Sequence, residues 1–383
     1  MIFERRRREN FGIPKNTSVD SLVIVWPDQT SQRILTPKMD ATVTITPKNT
    51  VPWNPTRTHQ KRKHWNDVSE ALGLQYTHQE DNYSDFNVQK LIPYQISDRG
   101  PAVAIGDLNN DQLEDVFFGG AAGQPARIYL QKNGAFEYYH DPVIEADSLY
   151  ENVSAVILDI NQDGFNDLLV GNGGNRIQPS LQFLKDGLYL GSANGFQKQP
   201  WTEEMVNTSI VTASSKGDFV FVGNHSKPLD FGNSTASYVV STSKSGLTQH
   251  RQEFMVDGMI TDALWSDIDA DGDEDLLIIG EWMAPVILDN NNGTFQKRSN
   301  GVPKVSGLWQ TAEAFDIDHD GDTDYVLGNW GLNSKLKATN EYPLHMYYTD
   351  FDANGISETV VSLEKNGAYY PLLGLNELAE QLV

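Results

Sequence analysis

The sequence predicts an all-β chain: a β-propeller of about six blades, incomplete or part of a seven-bladed ring, with ion-organised hairpins and a small β module in front. Three observations carry that prediction. Five short acidic loops share one internal spacing, short apolar runs that read as strands flank them, and the unit recurs at the length of a propeller blade.

The loops read DLNNDQLED from Asp107, DINQDGFND from Asp159, DIDADGDED from Asp267, DIDHDGDTD from Asp316 and DFDANGISE from Asp350. Each places an oxygen-bearing side chain at loop positions one, three, five and nine. The first two sets are Asp107, Asn109, Asp111 and Asp115, then Asp159, Asn161, Asp163 and Asp167. The third and fourth are Asp267, Asp269, Asp271 and Asp275, then Asp316, Asp318, Asp320 and Asp324. The fifth is Asp350, Asp352, Asn354 and Glu358. Hard cations such as Ca2+ take about six to eight oxygens, and a tight loop of alternating side chains supplies them. Like charges packed so closely repel one another unless a cation lies between them. Up to five Ca2+ sites follow, with 267–275 and 316–324 the complete ones. In the first loop Gln112 stands where the others have Gly, and Asn109 where an acid belongs. The fifth has Asn354 at position five and ends in the longer Glu358.

An EF-hand would need a Glu at position twelve and a helix on each side. Position twelve is Phe118, Val170, Ile278, Leu327 and Val361. The runs after the loops, VFFGG, LLVGNGG, LLIIGEW and YVLGNWG, read as buried strands, as do PAVAIG, SAVIL and GMITDALWS before them. The unit is strand, cation loop, strand.

The first loop residues are separated by steps of 52, 108, 49 and 34. The double step predicts a hidden unit near residue 216, where SIVTASSKGDFVFVGN keeps the strands and lacks the loop; Gly217-Asp218 is expected to bind no ion. Turn-plus-aromatic markers recur at Asn133-Gly134-Ala135-Phe136, Asn194-Gly195-Phe196 and Asn292-Gly293-Thr294-Phe295. A period of roughly 40–50 residues with several strands per unit is that of a propeller blade. The short last step predicts a trimmed blade or a change of architecture.

These loops and Gly-ended strands resemble the FG-GAP/VCBS repeats of integrin-α-like propellers, whose blades carry calcium in DxDxDGxxD hairpins; the resemblance spans about residues 65–383. Residues 1–50 resemble the end of an ASPIC/UnbV domain through Asn10-Phe11-Gly12, the strand Ser21 to Val25, and Trp26-Pro27-Asp28. That module accompanies such propellers in bacterial surface proteins and in the cartilage acidic protein group. The resemblance implies calcium as cofactor, an extracytoplasmic place at the cell surface, outer membrane or periplasm, and a glycan or protein ligand. Alternation in Leu22 to Val25 and in Thr42 to Ile45 predicts two strands of the module, and the Pro-rich stretch 51–64 a linker. So few strands bury a poor core. The chain also begins mid-pattern at Met1-Ile2-Phe3 and stops just after a helix expected over Leu375 to Leu382. It reads as a fragment of a longer protein whose other domains are among its partners.

Composition agrees. Cysteine is absent, so neither disulfides nor thiolate chemistry contribute. The net charge is −23; residues 1–63 hold twelve Lys/Arg against five Asp/Glu, leaving −30 for the rest. Five bound Ca2+ would bring −23 to −13, and the cation-free chain should be destabilised by its own repulsion. An acidic propeller argues against nucleic acid as ligand. Arg5-Arg6-Arg7-Arg8 reads as a solvated terminus or domain contact, and Lys61-Arg62-Lys63-His64 as linker. No stretch is long and apolar enough to span a membrane as a helix.

Catalytic motifs such as HExxH, GxSxG or a phosphate loop are missing from any convincing context. His319, inside the fourth loop, is expected to face solvent. The entry segment His78 to Phe86 could line a ligand face but reads better as the strand and loop that close the ring. Glu281-Trp282-Met283 and Asn329-Trp330-Gly331-Leu332-Asn333 have the aromatic and amide mixture that holds sugars, with blade packing as the plainer role. The sequence therefore reads as a calcium-stabilised binding propeller without catalytic residues. A calcium-dependent polysaccharide lyase or hydrolase on the same fold is the first alternative, and a structural spacer the second.

Overall fold

A computed structural model describes residues 18–39, 41–53, 66–175, 180–247, 251–331 and 333–382. Asn10-Phe11-Gly12, the two basic clusters and most of the expected linker lie outside these residues. The chain divides into two compact units, Met1–Asp67 and Val68–Val383.

In the first unit β1 (Ser21–Val25), β2 (Thr30–Leu35) and β3 (Val51–Pro52) form one antiparallel sheet in that order. The Trp26 to Gln29 turn makes the hairpin. Gln29 adopts φ 62°, and the Asp28 carboxylate accepts the Thr30 backbone N–H at 3.0 Å and its hydroxyl at 2.7 Å. Thr42 to Ile45, expected as a strand, is not one. Val43 is 48% exposed, so its alternation has no core to face. The turn instead recruits the polar Thr30–Leu35 as partner. Val51–Pro52, the first residues of the expected linker, pair with β2.

The second unit is a β-propeller of antiparallel sheets. The first blade holds β4 (Val103–Gly106), β5 (Asp115–Phe118), β6 (Arg127–Lys132) and β7 (Ala135–Tyr139), after which comes a short helix, α1 (Pro142–Glu145). The second holds β8 (Asn152–Leu158), β9 (Asp167–Asn172), β10 (Gly187–Leu190) and β11 (Gln197–Gln199). The third, the unit without a cation loop, holds β12 (Asn207–Ala213), β13 (Phe219–Ser226), β14 (Ser237–Ser241) and β15 (Arg251–Phe254). The fourth holds β16 (Met259–Ser266), β17 (Asp275–Met283), β18 (Val286–Asn291) and β19 (Thr294–Lys297). Two strands, β20 (Gly307–Phe315) and β21 (Asp324–Asn329), make the fifth, joined to the fourth by β17–β20 pairing. A three-stranded sheet of β22 (His345–Thr349), β23 (Glu358–Lys365) and β24 (Ala368–Pro371) follows, then α2 (Leu375–Gln381).

The core lies between blades, and strand alternation assigns it. Leu168 and Val170 pack toward the first blade and Leu169 toward the third. Leu276 and Ile278 face the third blade, while Leu277 and Ile279 face the fifth. A strand buried on both faces reads as a continuous apolar run rather than an alternating one, which is why LLV and LLII stand out. The Asn133-Gly134 and Asn292-Gly293 markers close outer hairpins, with φ of 54° and 78°, then 52° and 86°, as a two-residue turn with two left-handed positions requires.

The last sheet departs from simple blade stacking. Tyr348 donates its hydroxyl to Asp230 at 2.6 Å, and the Lys90 backbone N–H reaches Gln381. The described contacts of this sheet and of α2 therefore include the β13–β14 connection and the entry segment.

That entry segment is not a strand. It forms one 3-10 turn, Asp85–Asn87, and then residues 91–97 cross one end of the propeller. Asp85, fully buried, accepts the Ile96 N–H, the Ser97 N–H and the Ser97 hydroxyl at 2.6–2.9 Å. Ile92, Ile96 and Tyr94 pack on Phe231, Met259 and Trp282.

Candidate functional site

All five loops use one hydrogen-bond scheme. The position-one carboxylate accepts the backbone N–H groups of positions five and six at 2.7–3.2 Å, as Asp267 does from Asp271 and Gly272. Such a turn needs left-handed backbone twice. Position six is Gly with φ of 89–97° in four loops and Gln112 with 68° in the first. Position four is also left-handed, at 56–63°, in Asn110, Gln162, Ala270, His319 and Ala353. The sequence signalled only the Gly. His319 is exposed, as expected.

Position nine does a different job. Asp115, Asp167, Asp275, Asp324 and Glu358 each accept the N–H of position two, at 2.8–3.1 Å. In the first, second and fourth blades the other oxygen accepts an N–H from or just after the third strand, at Gln131, Gly191 and Asn290, each at 2.8 Å. This residue clasps the loop to the blade. Burial pushes the Asp115 and Asp275 carboxyls up and Asp167 up to about 6, against those N–H bonds and with help from nearby acids. A cation at the loop would offset that penalty.

The acids that converge are a subset. Ligand oxygens of Asp267, Asp269 and Asp271 lie within 4.8 Å of one another, as do those of Asp316, Asp318 and Asp320, and those of Asp350, Asp352 and Glu358. These clusters could hold a metal ion. In the first two loops the position-three amide donates to the position-five acid, Asn109 to Asp111 at 3.1 Å and Asn161 to Asp163 at 3.0 Å. An amide there replaces a charge and softens the repulsion. The fifth loop, incomplete by sequence, is better built than its pattern implied. Glu358 is buried and its Oε1 has no hydrogen-bond partner among the described residues. A buried carboxylate oxygen without a partner is costly unless a cation meets it.

Two residues escaped the sequence reading because they lie outside the loop, Asp289 in β18 and Arg298 just after β19. Asp289 converges with Asp269 and Asp275, and the Arg298 guanidinium sits among all three, 3.4 Å from Asp269 and 3.3 Å from Asp275. Arg298 thus partly neutralises the third acidic loop. His78, Glu80 and Glu151 form a further convergent group.

A second polar centre lies under the entry segment. Glu281, fully buried in β17, accepts from the Tyr94 hydroxyl, from Gln310 Nε2 at 2.8 Å and from the Arg99 guanidinium at 3.3 Å; His225 Nε2 lies 3.2 Å away. Burial alone would raise this carboxyl; His225, Arg99 and Tyr94 outweigh it and hold it down at about 2. Burial, reinforced by Arg99, pushes His225 down to about 4. Glu281 is therefore ionised and His225 neutral at pH 7. Trp282 and Trp330 both pack here, Trp330 with its ring 4.8 Å from that of Tyr94.

Residues 107–170 and 267–327 match the FG-GAP-like repeat, and residues 4–52 match the ASPIC and UnbV domain. The chain therefore carries FG-GAP-like repeats behind an ASPIC and UnbV segment. No curated protein matches it. Among solved structures it is similar to a protein from Lactobacillus plantarum at 10% identity and a TM-score of 0.38, over 71% of this chain and 69% of that one.

Proposed function

We propose that this chain is a calcium-stabilised propeller that binds a glycan or protein partner outside the cytoplasm and performs no catalysis. The observation that carries the reading is the loop scheme itself. The convergent loop acids sit on blade hairpins, with position one spanned by backbone N–H groups and position nine clasped to the blade. Those are the marks of a structural ion site rather than an open catalytic one. Calcium fits the donor set, which is carboxylate and amide oxygen without nitrogen or sulfur ligands. The Asp350, Asp352 and Glu358 oxygens, one of them orphaned and buried, would hold one ion. FG-GAP-like repeats favour an extracytoplasmic setting. Among the described residues no helix is long and apolar enough to cross a membrane.

The competing reading is a calcium-dependent polysaccharide lyase or hydrolase. Glu281 beside His225 and Tyr94 is an acid–base group that favours it, but both Glu281 and His225 are fully buried. Incubation with a polysaccharide panel separates the two. Release of unsaturated or reducing ends would overturn the binding reading; glycan-array or pull-down binding without turnover is the expected result. A spacer role would leave both assays silent.

A further inference from the structure

The inner strands β8, β12, β16 and β20 each carry one extra residue: Val153, Ser209, Thr261 and Gln310. A bulge re-aims its side chain, and here four consecutive blades turn theirs into one place. Together they line a cavity of about 450 Å3, which Tyr94, Arg99 and Trp330 also line. That volume falls in the range of small-molecule sites, roughly 300–1,000 Å3. In the second, fourth and fifth blades the bulge sits six positions before the first loop residue, so the cavity and the cation loops occupy opposite ends of the inner strands.

The wall chemistry selects the occupant. Ser209 donates its hydroxyl proton to Ile260 O at 2.7 Å, and Thr261 donates to Trp309 O at 2.8 Å. Gln310 gives its Nε2 to Glu281, Leu308 and Trp309, which leaves Oε1 as an acceptor. Those groups present lone pairs, so the ligand must bring the protons. Ammonium groups and hydroxyls both do. The Arg99 guanidinium disfavours a cation, and its pairing with Glu281 lowers its pull on an anion. Tyr94 and Trp330, whose rings pack on each other at 4.8 Å, add aromatic surface to the same wall, and aromatic surface suits the apolar side of a sugar.

We propose that this channel cavity binds one neutral sugar unit, a polyhydroxylated ring of monosaccharide size. The proposal rests on the binding reading above and names its site and ligand class.

The test uses the full chain with calcium, titrated with glucose, galactose, mannose and N-acetylglucosamine, with glucuronate and choline as charged controls. Ligand-observed NMR and tryptophan fluorescence report binding. At least one neutral sugar should bind, more tightly than either control. Val153→Phe, which fills the cavity, should weaken that binding by about tenfold or more with the melting temperature unchanged. Should that variant fail to fold, Trp330→Phe decides: it keeps a ring, so binding should persist while the fluorescence change disappears. Binding of no neutral sugar, preference for glucuronate or choline, indifference to Val153→Phe, or a fluorescence change that survives Trp330→Phe would each overturn the cavity proposal. None of those results touches the wider binding reading, which falls on polysaccharide turnover or on silence in both the turnover and the glycan-array and pull-down assays.

Discussion

Asp186 shows how one buried carboxyl sets a pH dependence. Burial pushes it up to about 7, against hydrogen bonds from the Asn172 N–H and the Thr208 hydroxyl. In the unfolded chain the same group ionises near its ordinary value of about 4. Between roughly pH 4 and 7 the folded state therefore holds a proton that the unfolded state has lost, and stability falls as pH rises. His225 works the other way: its folded value near 4 lies below its ordinary one, so its contribution is lost as pH falls from about 6.5. Asp186→Asn should raise the melting temperature at pH 8 by a few degrees and leave it nearly unchanged at pH 4. A drop at pH 8 in a melting series would mean that the ionised carboxylate is needed. Arg298 carries a second expectation at this scale. Its removal leaves Asp269, Asp275 and Asp289 facing one another. Arg298→Gln should lower the calcium-free melting temperature and raise calcium affinity at that loop several-fold, read by calorimetry. Neither Asp186 nor Arg298 was legible in the sequence, because each acts on residues that only strand pairing brings near.

The cation hairpin was legible almost whole as an element. Its oxygen spacing, its terminal Gly and the apolar strand after it are all local properties. What the sequence did not show is which loop oxygens are buried, since burial is not local. The fifth loop's Glu358 replaces Asp at position nine, and its extra methylene accompanies convergence with Asp350 and Asp352. Glu358→Gln should reduce the calcium stoichiometry by one. It should leave the calcium-free melting temperature equal or higher, because a buried oxygen without a partner loses its charge. Unchanged stoichiometry in a metal titration would place the fifth ion elsewhere. In the first unit the Thr42 to Ile45 alternation misled for a related reason: a pattern makes a strand only where a partner edge and a core receive it.

At the scale of the molecule, the cation loops are repeated down the propeller, so their loss should be felt everywhere at once. Chelation should lower the melting temperature by many degrees, and added calcium should restore it, with magnesium less effective because it demands a tighter octahedron. A calorimetric melt that ignores both chelator and calcium would remove the ion from the account. The sequence by itself determined the repeat, the hairpins, the hidden third unit and the acidic positions, because period, turn chemistry and oxygen spacing are short-range. Only the tertiary structure decided where Tyr94 and Arg99 lie, that Glu281 is buried among four donors, and that four bulges open on one cavity. Those facts depend on residues up to about two hundred positions apart meeting at the propeller axis, and no local pattern records such a meeting.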